Sequence, residues 1–167
     1  SDVESLLTQG IDLLIISPNE AAPLNDAVKA AWDACVPVIV LDRNLVDPNY
    51  SMFIGADNVA IGHAAGKYAA DWCKANNRPA CKVAEIRGLE GAPPAKDRGD
   101  GFRAGLVEGG LTEANIVFSQ NADWLREKAV PQAAAAFQAH PDIDVMYGHN
   151  EPMAEGAYIA GGDAGID

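Results

Sequence analysis

No apolar run in this sequence approaches the roughly 18 residues that a membrane helix needs; the longest are short stretches such as IDLLIIS at 11–17 and VPVIVL at 36–41. The opening Ser1-Asp2-Val3-Glu4 carries neither the basic start nor the apolar stretch of a secretory signal. A cleaved signal leaves no trace, so export stays open. Basic residues are scarce: 12 Lys and Arg against 24 Asp and Glu give a net charge of −12. With the cations scattered and no basic stripe, the charge argues against phosphate-rich partners, so no nucleic acid is expected; the acidity reads first as solubility and second as attraction of a cationic ligand.

Cysteine is sparse as well, with only Cys35, Cys73 and Cys81. None forms a CxxC pair, and His63, His140 and His149 are not spaced around them as zinc ligands, so no metal site is expected. Cys73 and Cys81, eight residues apart, fit a disulfide in an oxidising compartment and equally two free buried thiols. Cys35, just before an apolar strand, reads as core. The sequence lacks a GxSxG nucleophile elbow, a GxxxxGK[ST] phosphate loop and an HExxH metal helix. Gly88-Leu89-Glu90-Gly91 follows a strand but lacks the third glycine of a dinucleotide turn. Acidic residues are plentiful enough that a glycosidase-type carboxylate pair stays open. No cofactor is implied.

What is present is a soluble globular balance, 49% hydrophobic and 22% charged, enough apolar material to exclude disorder. Short runs rich in β-branched residues at 12–16, 37–41, 52–55, 82–87, 115–119 and 143–148 read as strands. Helical patterns lie between them at 21–34, 58–75, 94–108, 124–138 and 151–162, and residues 3–8 read as a helix end stopped by Gly10. Such alternation predicts an α/β fold of βαβ units with doubly wound parallel sheets. Asp57 or Asn58 is suited to cap the long third helix, and the chain is expected to cross there from a first lobe, 1–57, to a second, 58–167. Trp32 and Trp72, at mid-helix positions, read as core; His63 and His140 read as surface. The sequence opens inside a helix with no preceding strand and ends just after another. A doubly wound sheet needs its first strand near the centre, so an incomplete piece of a longer chain is expected rather than a complete small domain.

Ligands of open α/β sheets bind beyond the carboxyl ends of the strands. The residues delivered there are Ser17-Pro18-Asn19, Asp42-Arg43-Asn44, Asp57-Asn58, Gly88 to Gly91 with Asp97-Arg98, Gln120 to Trp124, and His149-Asn150-Glu151. Asp, Asn and Arg match sugar hydroxyls, each of which both donates and accepts. Arg43 and Arg98 offer forks able to bridge adjacent hydroxyls, and Trp124 a flat face for the C–H side of a sugar ring. Duller roles compete: Asp42-Arg43 as a loop ion pair, Asn150 as a helix cap, Arg98 as a solvated helix residue, Trp124 as a core aromatic.

Ile15-Ile16-Ser17-Pro18 and Val36 through Asp42-Arg43, in order, resemble periplasmic ribose-binding and galactofuranose-binding proteins. The resemblance continues through Ala56-Asp57-Asn58 with Gly62 and Gly66, Glu85-Ile86-Arg87-Gly88, Asp97 to Phe102, Ser119 to Trp124 and Gly148 to Ala157. It implies the type I periplasmic binding-protein fold, two doubly wound lobes joined by three hinge strands. On that resemblance Asp42, Arg43 and Ser17 bind ligand from the first lobe, Arg98, Trp124 and Asn150 from the second, and Asp57 lies at a hinge crossing. Trp124 replaces the ribose binder's Phe and Ser17 its Asn; the His149-Asn150 pattern with Met153 and Gly156-Ala157 looks more like the galactofuranose branch. The family's first strand and helix and its last part have no counterpart here, so weak or no sugar binding is expected of these 167 residues alone.

The function implied is the solute receptor of an ATP-driven sugar importer, with a monosaccharide ligand, a membrane permease as partner, and a periplasmic or extracellular location. The remainder of its own chain or a second copy would complete it. A sugar-sensing domain of a transcription regulator or signalling receptor is the alternative within the fold, and a sugar-modifying enzyme the third reading.

Overall fold

The structure, a computed structural model, describes residues 2–166. In chain order the elements are α1 (Asp2–Thr8), β1 (Leu14–Ile16), α2 (Asn25–Asp33), β2 (Val38–Leu41), β3 (Met52–Ile54), α3 (Asn58–Ala75) and β4 (Val83–Arg87). They continue with α4 (Pro93–Glu108), β5 (Ile116–Asn121), α5 (Arg126–Ala139), β6 (Val145–Gly148) and α6 (Glu151–Asp163). Short 3-10 turns precede α2 at Ala22–Leu24 and β5 at Glu113–Asn115. All strand pairings are parallel, in two sheets ordered β1-β2-β3 and β5-β4-β6. The chain divides into two compact units: residues up to Asp57 with Gly91–Pro93, and Asn58–Glu90 with the residues from Pro94 onward.

In the first unit the period-2 pattern sends Leu14, Val38 and Val40 to one face of the sheet, where they pack with Val28 and Ala31 of α2 and Val3 of α1. The opposite face presents Ile15, Met52 and Ile54, each more than half exposed. α1 ends where Gly10 takes φ +75°, a conformation free of strain only without a Cβ. Cys35 departs from its expected place in the core: it is exposed and unbonded, with φ +58°, in the turn that follows α2. Trp32 and Trp72 are likewise not core residues, at 42% and 37% exposure. The sheet-facing positions of their helices belong to smaller side chains, Val28 and Ala31 on α2 and Ala69, Ala70 and Cys73 on α3, which leaves each indole on the flank.

The second unit is built around β4, whose Val83, Ala84, Glu85 and Ile86 are all buried, as befits a strand covered on both faces. From β4 the chain winds through α4 to β5 on one side, then through α5 back to β6 on the other. That reversal makes the carboxyl ends of β4 and β6 a topological switch point. α3 and α4 approach with backbone against backbone. A Cβ at Gly62 would lie 2.1 Å from the Arg98 carbonyl oxygen, one at Gly66 2.0 Å from that of Phe102, and one at Gly101 2.1 Å from that of Val59. Both helices therefore carry glycine at four-residue spacing for packing, despite the cost to helix propensity. Cys73, in the last turn of α3, and Cys81, just before β4, form a disulfide with Cα atoms 5.9 Å apart. α5 begins at Arg126, not 124, because Asp123 and Trp124 both have positive φ (53° and 70°), outside any right-handed helix.

Candidate functional site

Six of the expected site residues fall into two groups, one on each unit. On the first unit, Ser17 is exposed just beyond β1, while Asp42 and Arg43 follow β2 directly. Asp42 adopts φ +61° and its N–H donates to the Ile54 carbonyl at 2.8 Å, which turns the chain off the sheet edge. Its carboxylate is 68% exposed and 3.8 Å from Arg43 Nε, a loose ion pair. Arg43 is held more firmly elsewhere: its Nη1 donates to the Asn19 carbonyl at 3.1 Å and to Asn19 Oδ1 at 2.6 Å. The guanidinium thus ties the β1 loop to the β2 loop. Asp57 is exposed at the end of the first unit.

On the second unit the structure brings Arg98, Trp124 and Asn150 together at the switch point. Arg98, in the second turn of α4, donates from Nε to Asn58 Oδ1 at 2.9 Å and from Nη1 to the His149 carbonyl. Its guanidinium lies 5.7 Å from the centre of the Trp124 ring, a cation–π arrangement. Asn150 serves two ends at once. Its Oδ1 accepts from the Met153 N–H at 3.0 Å, capping α6, and its Nδ2 donates to the Trp124 carbonyl at 3.1 Å. The cap role therefore coexists in one side chain with a contact to the Trp124 loop. Trp124 is half-buried, packed on one side against the core cluster of Ile86, Ala122, Ala129 and Met153, and its indole lies against Gly88: a Cβ there would meet three of its ring carbons at 2.2–2.4 Å.

Beneath this rim sits a buried polar network of Glu85, His149, Arg103 and Ser119, of which only His149 stands among the candidate rim residues. Glu85 and His149 have side chains with no solvent exposure, and His149 Nε2 lies 3.0 Å from Glu85 Oε1. Arg103 donates to both Glu85 oxygens, at 3.1 and 2.9 Å, and the Ser119 hydroxyl donates to Oε2 at 2.7 Å. Burial opposes ionisation of Glu85, but the bonds from His149, Arg103 and Ser119 outweigh it and hold its carboxyl down to about 2. The same pairing pushes the Arg103 guanidinium up. Because the Gly88 N–H donates to His149 Nδ1 at 3.3 Å, the ring proton is assigned to Nε2, facing Glu85. Tyr147 stacks on Phe102 with centroids 4.3 Å apart, and burial raises its hydroxyl to about 12.

The signal for this network in the sequence was a charged residue inside an otherwise apolar strand, Val83-Ala84-Glu85-Ile86, which demands a partner when buried. Asn58 likewise served in the sequence as a candidate cap, and its buried contact with Arg98 needed the fold. Among the described residues no group of three or more His, Cys, Asp or Glu side chains is placed to hold a metal ion. Among the described residues no helix is long and apolar enough to cross a membrane. A concavity of about 600 Å³ lies at the carboxyl ends of α3 and α4, lined by Lys74, Arg78 and Leu111 among others, away from the strand tips.

A parallel α/β unit whose polar side chains gather at the switch point is organised as a ligand-binding lobe. Residues 1–167 match the family described as periplasmic binding protein domain, and the chain belongs to that family. The fold is the type I periplasmic binding-protein fold. The chain is 35% identical over 167 residues to the ribose import binding protein of Bacillus subtilis, covering 100% of this chain and 52% of that protein. It is 32% identical over 172 residues to the galactofuranose-binding protein of Escherichia coli, covering 98% and 52% respectively. Among solved structures, the fructose-binding periplasmic domain of a hybrid two-component system superposes with a TM-score of 0.91 at 37% identity, over 99% of this chain and 53% of that one. The chain spans about half the length of the curated relatives it matches.

Proposed function

We propose that the protein is the non-catalytic solute receptor of a sugar importer, in which a monosaccharide is held between two lobes. Residues 1–57 belong to the first lobe and 58–167 to the second, with Asp57 at a hinge crossing. Arg43, Asp42 and Ser17 bind from one side, Arg98, Trp124 and Asn150 from the other. The observation that carries the reading is the Arg98–Trp124–Asn150 cluster at the switch point of a periplasmic binding-protein fold. Arg98 uses two of its five N–H groups on Asn58 and His149, leaving others for ligand hydroxyls. Trp124 supplies the ring surface on which a sugar's C–H face rests.

Relatives named for ribose and galactofuranose support a sugar as the ligand class. The Cys73–Cys81 disulfide suits an oxidising compartment and supports a periplasmic or extracellular location. Ligand that bridges both lobes shifts the population from open to closed, and a membrane permease reads the closed form. The test is thermal-shift screening of the full-length gene product against pentoses and hexoses. One sugar raises the melting temperature, and Ala at Asp42, Arg43, Arg98 or Asn150 abolishes the rise; a rise that survives all four changes sinks the assignment.

One observation favours a second reading, a signalling receptor: the fructose-binding relative is part of a hybrid two-component system. The same closure would then be read by a sensor protein in place of a permease. A histidine-kinase segment in the same gene would decide for it.

A further inference from the structure

We propose that His149 and Gly88 are positioning residues of the ligand site, a strut that sets the plane of Trp124 and the reach of Arg98. The proposal rests on reading this rim as a sugar site. Neither residue needs to touch ligand. The His149 ring is enclosed, accepting from the Gly88 N–H on one side and facing Glu85 on the other. Gly88 therefore sits at a height fixed by the ring, and the Trp124 indole lies on its bare Cα face, where a Cβ would come within 2.2–2.4 Å of three ring carbons. The carbonyl of the same histidine receives Arg98, which in turn lies over the Trp124 ring. Asn150, next in sequence, holds the Trp124 carbonyl. One side chain thus fixes the floor under the indole, while its main chain fixes the cation above it.

The strut needs one acceptor and one donor on a single buried group. A buried ion pair or hydrogen-bonded pair is no better for stability than well-packed apolar residues. Its effect at the switch point is geometric: Glu85 is anchored twice by Arg103 and once by Ser119, so His149 cannot rotate without breaking a satisfied carboxylate. Glutamine carries the same donor and acceptor pair; leucine fills the space with neither.

The test uses the full-length gene product labelled with 5-fluorotryptophan, with the Trp124 fluorine resonance assigned by its loss in Trp124→Phe. Binding of D-ribose, D-fructose and D-galactose is followed in parallel by calorimetry. His149→Leu moves the Trp124 resonance, leaves those of Trp32 and Trp72 in place, and weakens the bound sugar by about tenfold or more. Because both variants remove an imidazole whose centroid lies 6.4 Å from that of the indole, Gln is compared with Leu: His149→Gln regains the affinity and shifts the Trp124 resonance less than Leu does. A Trp124 resonance and an affinity that are the same in His149→Leu and His149→Gln overturn the proposal. If His149→Leu does not fold, His149→Asn decides: its shorter amide cannot span the Gly88 N–H and Glu85 together, so a Trp124 resonance displaced from that of His149→Gln supports the strut and one that coincides with it overturns it. Should none of the three sugars bind the wild type, the sugar reading loses its support while the fluorine spectrum still judges the strut.

Discussion

Nε2 of His149 stands 3.0 Å from Oε1 of Glu85, with both side chains closed to solvent. The pair lies beneath Arg98, Trp124 and Asn150, and the His149 carbonyl accepts from Arg98 while its ring accepts from the Gly88 N–H.

The first consequence is a dependence on acid. The folded Glu85 carboxyl is held at about 2 against an ordinary value of 4.5. A depressed carboxyl adds stability above its unfolded value, and that contribution fades as pH falls from 4.5 towards 2. Glu85→Gln removes the effect, so urea denaturation at pH 7 and pH 3 is the measurement. The stability gap between wild type and Glu85→Gln shrinks by about 2 kcal/mol at the lower pH. An equal gap at both values disproves the coupling.

At the alkaline end the sign is reversed. Burial raises Tyr147 from 10.0 to about 12, so its contribution is intact below 10 and is lost as pH climbs through 12. Tyr147→Phe keeps the stack on Phe102, and its denaturation midpoint falls less steeply than that of the wild type above pH 10.

Helix approach gives a paired expectation. Gly66→Ala brings a Cβ to 2.0 Å from the Phe102 carbonyl oxygen, whereas Gly162→Ala, also on a helix, meets nothing within 4 Å. The first destabilises by about 2 kcal/mol or more despite better helix propensity, and the second stabilises by up to about 1 kcal/mol. Chemical denaturation of the two variants measures both, and similar effects would refute the close crossing.

The disulfide closes a short loop between α3 and β4. Replacing Cys73 and Cys81 by Ser costs about 2–3 kcal/mol, and reductant lowers the wild-type melting temperature without affecting the double variant. Cys35→Ser, at an exposed site, leaves the melting temperature unchanged.

Asn150 separates capping from binding. Asn150→Asp keeps an oxygen for the Met153 N–H but loses the donor to the Trp124 carbonyl, while Asn150→Ala loses both. The Asp variant keeps the cap but melts lower for the lost bond to Trp124, and loses the sugar-induced shift; the Ala variant loses the shift and about 1 kcal/mol of cap stability as well. A full sugar response in Asn150→Asp would remove this side chain from the proposed site.

The order of strands and helices, the parallel sheets and the rim positions were legible in the sequence, because period-2 and period-3.6 patterns and turn residues are local properties of the chain. Arg98 and Asn150 could be named from their place after a strand or at a helix start. Tertiary structure alone decided that Arg98 lies over Trp124, that Glu85 is paired with His149 across 64 positions, and that Trp32, Trp72 and Cys35 stay outside the core. Those outcomes depend on which small residues, such as Ala31, Ala69 and Gly66, let two elements close on each other. Burial and hydrogen-bond partners are settled by distances between remote segments, and no local pattern carries them.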